Sequence, residues 1–406
     1  MSKYKAEAPV LRFPEFKVPW RTVTCGEVLN KVSVPVSVEP EKLYTQIGIR
    51  SHGKGIFHKD PVTGADLGNK RVFWVRENTL TLNIVFAWEQ AVAKTSEAEK
   101  GLIASHRFPM YKGVEDETVD YLLWLFLTKR GKYLLELASP GGAGRNKTLG
   151  QKEFEKLPVP FPEKGERKKV ANFISEINQK VNQLNTKLEL AKQFKKGIMQ
   201  KLFSQELRFK TDDGNSFPEW KILQLKEIAT PVKRKAEEAI KNVMTISAGK
   251  GFLHQSDRFN QVIAGSSLDK YTLLKKNEFS YNRGNSKSYT YGCVYKLDGC
   301  DEALVPFVYR SFSLNKGHPG FFSFLFEGKY LDRQLRRIIS SSARMDGLLN
   351  ISEKDFYDVK VPFPTEEEQV KISDFIIAIN RKINALEQQL ELTQTYKQGL
   401  LQKMFI

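Results

Sequence analysis

The sequence predicts an α+β chain: two globular segments of mixed α and β structure, joined by two long helices that pair as an antiparallel coiled coil with a pseudo-two-fold internal repeat. Three observations carry this prediction. Lys152 to Phe203 and Lys354 to Phe405 align without a gap at an offset of 202, with 23 of 52 positions identical. Each copy ends in about 40 residues with apolar side chains at three- and four-residue steps. The stretches preceding the copies alternate short β-branched and aromatic runs with helical patterns, the composition of mixed globular units. The expected divisions are 1–151 and 204–353 for the globular segments, and 152–203 and 354–406 for the helical regions.

The elements follow in chain order. Phe13-Pro14-Glu15-Phe16 opens the first segment and answers Phe217-Pro218-Glu219-Trp220 at an offset of 204. Gly53-Lys54-Gly55 with His58 answers Gly249-Lys250-Gly251 with His254 at 196, and Leu122–Phe126 answers Phe322–Phe326 at 200. The order holds while the offsets wander, as expected where surface loops gain and lose residues. Val72–Val75, Leu82–Trp88, Val243–Ser247 and Tyr291–Leu297 read as strands, and Glu117–Leu137 and Phe321–Ile339 as helices.

Pro158, Pro160 and Pro162 forbid helix before about residue 163. Beyond them Val170, Phe173, Ile174, Ile177, Val181, Leu184 and Leu188 form a heptad-like seam, matched by Ile372, Phe375, Ile376, Ile379, Ile383, Leu386 and Leu390. A rod of 40 residues is roughly 60 Å long and must bury its narrow stripe against another helix. A dimerising coiled coil would use the same stripe. Duplication favours pairing within one chain, because each seam then has a partner of matching length. Antiparallel pairing is the simpler connection, since parallel pairing would require the second segment to carry the chain back along the whole rod.

Composition narrows the function. Of 406 residues, 41% are hydrophobic and 27% charged, which argues against global disorder, and no apolar run approaches the length of a membrane span. MSKYKAEAPV lacks the apolar run of a secretory signal, and Cys25, Cys293 and Cys300 show no paired spacing, so a cytoplasmic setting is expected. The net charge of +17 makes a polyanion such as nucleic acid the first candidate partner. The first helix carries +7 and the second −1, which leaves +11 on the globular segments.

Catalytic motifs are scarce. Gly48 to Lys54 fits G-x-x-x-x-G-K, but Gly55 stands where a phosphate-binding loop needs Ser or Thr for Mg²⁺. The histidines His52, His58, His106, His254 and His318 do not cluster as metal ligands. No catalytic or metal site is therefore expected. Candidate DNA contacts are the cations on glycine-rich or polar loops, where the backbone can approach a phosphate or base edge. In the first segment these are Lys54, His58, Lys59, Arg71, Arg107, Lys112, Arg145 and Lys147; in the second, Lys250, His254, Arg258, Arg283, Asn285, Lys287, Tyr289 and Arg344. Lys54 and Lys250 read as phosphate contacts. Arg283 beside Asn285 reads as a base contact, since Arg and Asn make the bidentate pairs to guanine and adenine.

The repeated L/V-x-V-P-F-P…E segment and the long helix closing in K-x-G-I/L-x-Q-K-L/M-F resemble the DNA-specificity subunit of type I restriction–modification systems. The F-P-E-F and F-P-E-W segments are similar to the starts of that family's target-recognition domains. The resemblance implies two target-recognition domains, each reading one half of an asymmetric bipartite DNA target. Between them, paired helices set the spacer and dock two methyltransferase (modification) subunits. It also implies a chain without catalysis of its own: S-adenosylmethionine, ATP and Mg belong to partner subunits, including two restriction (translocase and nuclease) subunits where present. One departure is local. Lys164-Gly165 stands where the second copy has Glu366-Glu367, and Arg167 where it has Gln369, so the first helix is expected to begin differently. A stand-alone DNA-binding regulator with an intramolecular coiled coil is the competing reading, and a coiled-coil scaffold would leave the charge of the globular segments unexplained.

Overall fold

A computed structural model describes residues 9–141, 147–235, 242–258, 268–284, 286–339 and 348–405. The chain divides into two compact units, one of Met1–Thr186 with Glu387–Ile406 and the other of Lys187–Leu386. Both division points fall inside the long helices, Lys164–Phe203 and Glu366–Met404, not at their ends.

In the first unit a four-stranded antiparallel sheet runs in the order Leu29–Val32, Met110–Gly113, Thr79–Leu82, Val92–Lys94. Strand Thr79–Leu82 is buried on both faces; the Thr79 and Thr95 hydroxyls pair at 2.8 Å, while Thr81 Oγ1 has no hydrogen-bond partner among the described residues. The sheet carries the helices Thr118–Phe126 and Lys129–Leu137. A second, two-stranded ribbon pairs Arg21–Thr24 with Pro158–Phe161, the P-V-P-F segment that leads into the first long helix. Proline suits this edge pairing, where a missing N–H can face away from the ladder.

The second unit uses the same parts. Its four-stranded sheet runs Ala229–Pro231, Arg310–Leu314, Phe279–Asn282, Cys293–Lys296, and Lys221–Gln224 pairs with Lys360–Phe363. Aromatic rings fill its core: Phe279 stacks on Phe312 at 5.2 Å and Tyr281 on Phe356 at 4.6 Å between centroids.

Each unit joins parts of both long helices into its core. In the first, Val170, Ala171 and Ile174 share a buried cluster with Leu400, Leu401, Met404 and Phe405. Lys397 Nζ reaches Asn178 Oδ1 at 2.6 Å, and the ammonium lies 4.9 Å from the Trp124 ring centroid. In the second, Met199 and Leu202 share a cluster with Ile372 and Ile376. In each unit the early part of one long helix therefore meets the late part of the other. Of the seam, Val181, Leu184, Leu188 and Ile383 are buried, while Ile177, Ile379, Leu386 and Leu390 are half-buried.

Several sequence expectations need correction. Leu82–Trp88 is not a strand. The ladder ends at Leu82, because the Asn83 side chain accepts from Val85 N (3.1 Å) and turns the chain into the short 3-10 helix Ala87–Glu89. Glu117–Leu137 is two helices, not one. Thr128 accepts from Gly131 N at 2.9 Å and caps the second, and Gly131 lies so close to Leu125 O that a Cβ there would stand 2.0 Å from it. Phe321–Ile339 likewise splits into Pro319–Glu327 and Asp332–Ile338, with Lys329 in the left-handed region at φ 58°. Strands Val72–Trp74, Met244–Ser247 and Cys293–Lys296 lie where the pattern placed them.

The opening landmark also shifts. Glu166 accepts from Arg12 Nε (2.7 Å), Arg12 Nη2 (2.8 Å) and Trp20 Nε1 (3.0 Å), and the Phe13 ring meets Phe173 edge-on at 5.7 Å. Glu368 accepts from Arg208 Nε (3.1 Å), Arg208 Nη2 (2.8 Å) and Trp220 Nε1 (2.8 Å), and Phe209 meets Phe375 at 5.5 Å. The matching segments are thus Leu11-Arg12-Phe13 and Leu207-Arg208-Phe209. Phe13-Pro14-Glu15-Phe16 and Phe217-Pro218-Glu219-Trp220 correspond in one contact only: the matching lysines lie over the first ring of each, Lys169 at 4.5 Å from the Phe13 centroid and Lys371 at 5.4 Å from that of Phe217.

The first long helix does begin with different chemistry. Arg167 is 2% exposed; it donates to Pro162 O (2.6 Å) and Glu117 Oε1 (2.6 Å), pairs with Glu115, and sits 3.9 Å from the Phe161 centroid. Burial pulls its pKa down to about 10. Gln369 fills the matching place in the second helix, donating to Pro364 O (2.8 Å) and accepting from His318 N (2.7 Å).

Candidate nucleic-acid interface

The Gly-Lys-Gly segments are hairpin turns. Ile47–Ile49 pairs with Ile56–His58, and Met244–Ser247 with Gly251–His254, so Lys54 and Lys250 sit at exposed tips and His58 and His254 at matching strand ends. Gly53, Gly55, Gly249 and Gly251 all have positive φ, from 64° to 83°, which explains glycine on both sides of each lysine. Gly48 lies within a strand and Lys54 is followed by another strand, so the segment is not the strand–loop–helix of a phosphate-binding loop. The turns are anchored differently. In the first unit His52 N and Gly53 N donate to Glu89 O and Gln90 O; in the second Gly249 N donates to the Tyr295 hydroxyl at 2.9 Å. Tyr289 lies against that second turn, and Lys329 Nζ stands 4.4 Å from its ring centroid.

The remaining candidates spread over each unit. In the first, Arg71 lines a cleft of about 200 Å³ with Lys31 and His106, beside strand ends Val32 and Met110. Arg107 is exposed on the adjoining turn and accepts through its carbonyl from Ile84 N, while Lys147 lies 5.3 Å from the Trp88 centroid. These residues come together around Ile84–Trp88. His58 is held by Glu99 at 3.1 Å. Lys59 and Lys112 are exposed, the first past the hairpin and the second on strand Met110–Gly113. In the second unit Lys287 is exposed, and Arg258 closes the helical turn Gln255–Arg258. Arg145, Asn285 and Arg344 lie outside the described residues.

Arg283 belongs to a cleft of about 400 Å³ in the second unit that also contains Lys233, Lys235, Arg310 and Glu353. Its Nε donates to Val308 O at 3.1 Å, and Arg310 donates to Ile351 O. Burial first, and the neighbouring Arg283 second, hold the Arg310 guanidinium below its ordinary pKa. Lys31, His106 and Arg310 were missed as candidates because they sit on or beside strand ends, away from glycine-rich loops. The signal for Arg310 was present: a cation opening the alternating run Arg310-Ser311-Phe312-Ser313-Leu314.

Among the described residues no three His, Cys, Asp or Glu side chains group as a metal site, and no helix is long and apolar enough to cross a membrane.

No family model matches the chain. Over 427 residues it is 23% identical to the specificity subunit of the type I restriction enzyme MjaVIII from Methanocaldococcus jannaschii, covering 96% of this chain and 92% of that one. A second match, 26% identical over 110 residues, is to the putative MjaX specificity subunit of the same organism, covering 26% of each chain. The type I restriction–modification S subunit of M. genitalium superposes with a TM-score of 0.58 at 16% identity, over 98% of this chain and 99% of that one. The chain has the fold of a type I specificity subunit. A further solved chain, from work on assembly and conformational transition of the type I restriction–modification system, gives a TM-score of 0.50 at 15% identity, covering 96% and 99%. Within this specificity-subunit fold the two cation-bearing clefts occupy matching places, each beside the first strand of its four-stranded sheet and the strand that pairs with it.

Proposed function

We propose that this chain is the non-catalytic DNA sequence-specificity subunit of a type I restriction–modification complex. Each globular segment reads one half of an asymmetric bipartite target. The long helices pair antiparallel as a coiled coil, set the unspecified spacer, and dock two modification subunits. S-adenosylmethionine, ATP and Mg act on the partner subunits, and restriction subunits join where the host supplies them. The setting is the cytoplasm, where the DNA is.

One observation carries this reading: both units are built on the same sheet order and hairpin, yet dress that frame differently, with the Glu89 and Gln90 carbonyls anchoring the first hairpin turn and Tyr295 and Tyr289 standing beside the second. Two frames of one design with unlike surfaces suit two unlike half-sites, whereas identical readers about a two-fold would select a palindrome. The similarity to specificity subunits along nearly the whole chain points the same way.

The test is co-expression with modification subunits from a type I system, then co-purification and duplex binding. The proposal expects a stable complex that prefers one set of sequences and methylates adenine. A chain that selects sequence alone and ignores modification subunits would favour the stand-alone regulator instead.

A further inference from the structure

Among the described residues, the 400 Å³ cleft of the second unit is lined by four cations, Lys233, Lys235, Arg283 and Arg310, and one carboxylate, Glu353, which is 3.0 Å from Lys233, while Lys235 donates to Lys270 O. The two arginines come from neighbouring strands: Arg310 is the register partner of Tyr281, and Arg283 follows that strand by one residue beyond Asn282. Like charges brought together at a partly dehydrated site repel, and folding holds them there. Arg310 Nε is buried without a hydrogen-bond partner among the described residues. An orphaned donor beside a second guanidinium is a mark of a site that an anion completes.

The geometry also says which part of a nucleic acid suits it. A base-edge reader needs an outstretched guanidinium with its fork available to two acceptors in one plane. Arg283 is tied at Nε to Val308 O, and Arg310 at Nη2 to Ile351 O, so both heads are held by loop carbonyls beside the strands. Among the described residues that line the cleft there is no Asn or Gln. A tetrahedral oxyanion accepts from several converging cations at once and does not need them coplanar.

We propose that this cleft seats a phosphate of the DNA backbone, with Arg283 and Arg310 as the converging pair, so that Arg283 fixes the register of the second unit on the duplex and does not read a base. The proposal rests on the specificity-subunit reading and changes the role expected for Arg283 from sequence.

The experiment uses the full chain in complex with its modification subunits, and duplexes carrying either the methylated site or a scrambled one. Binding is measured across a salt series. Arg283→Gln is expected to weaken both duplexes by a similar factor and to flatten the dependence of log K on log salt by about one unit, with the methylated sequence unchanged. Arg283→Lys should restore most of the slope. A methylphosphonate walk, neutralising one phosphate at a time, locates the contact without relying on a variant: one position should weaken the wild-type complex and leave the Arg283→Gln complex unaffected. Relaxed choice at one base with an unchanged salt slope would overturn the proposal in favour of base reading. Unchanged affinity and slope would show that the cleft takes no DNA. A wild-type complex with no sequence preference would overturn the specificity-subunit reading, and the cleft's role with it.

Discussion

Glu166 and Glu368 show what a single side chain does in this fold. Each is a buried carboxylate at the start of a long helix, accepting from an arginine and a tryptophan that precede the first strand of its unit. Removing the carboxylate leaves a part-exposed arginine and a buried indole N–H without their acceptor, a loss of about 1–3 kcal/mol. Glu166→Ala should therefore loosen the first unit and Glu368→Ala the second, read by hydrogen exchange of the strands Arg21–Thr24 and Lys221–Gln224. Protection unchanged in both variants would mean that the helix starts are held by packing alone. The cysteines give a second residue-scale check. Burial pushes the Cys25 thiol well above its ordinary range and Cys293 up to about 11, whereas Cys300 is half-buried and its rise is smaller. Thiolate is the reactive form, so iodoacetamide at pH 8 should label Cys300 first and leave Cys25 intact until the chain unfolds. Equal labelling of Cys25 and Cys300 in the folded chain, followed by mass spectrometry, would contradict the burial described here.

Elements were readable where one periodicity dominates and misread where a side chain overrides it. The proline run and the heptad seam place the long helices within a residue or two, because proline and a 40-residue apolar stripe leave few alternatives. The helices at 117–137 and 321–339 kept their periodicity across a break, and only Thr128, Gly131 and Lys329 mark where the chain turns. The correspondence of Arg12 with Arg208 was present in the repeated Leu-Arg-Phe. It was masked by the more conspicuous Phe-Pro-Glu, which packs differently in the two units. Gly131 is the sharpest test at this scale. Gly131→Ala drives a methyl into Leu125 O and the Phe126 backbone, and overpacking of that kind destabilises by about 1–3 kcal/mol or more. The first unit should melt earlier in calorimetry while the second keeps its transition. The hairpin tips make a functional prediction. Lys54→Ala and Lys250→Ala should each weaken binding to all duplexes alike and lower the salt slope by about one, with no change in the sequence methylated. A shift in methylated sequence in either variant would make that tip a reader of bases.

For the whole chain, the proposed antiparallel rods act as a ruler. Adding one heptad to both helices, after Leu184 and after Leu386, keeps the apolar seam in register. It lengthens the rod by about 10 Å, against a rise of about 3.4 Å per base pair. Rotation of the groove with each pair limits full accommodation, so the unspecified spacer should grow by one to three pairs while both half-sites stay the same. An active double-heptad protein with its original spacer would leave the rods only a docking role. Two unlike readers in one specificity subunit leave their mark on the methylated genome of cells that express this chain with its modification subunits. Mapping adenine methylation there should give one bipartite motif whose two halves differ in sequence and are separated by a fixed run of unspecified bases; a continuous or palindromic motif would rule out two unlike readers.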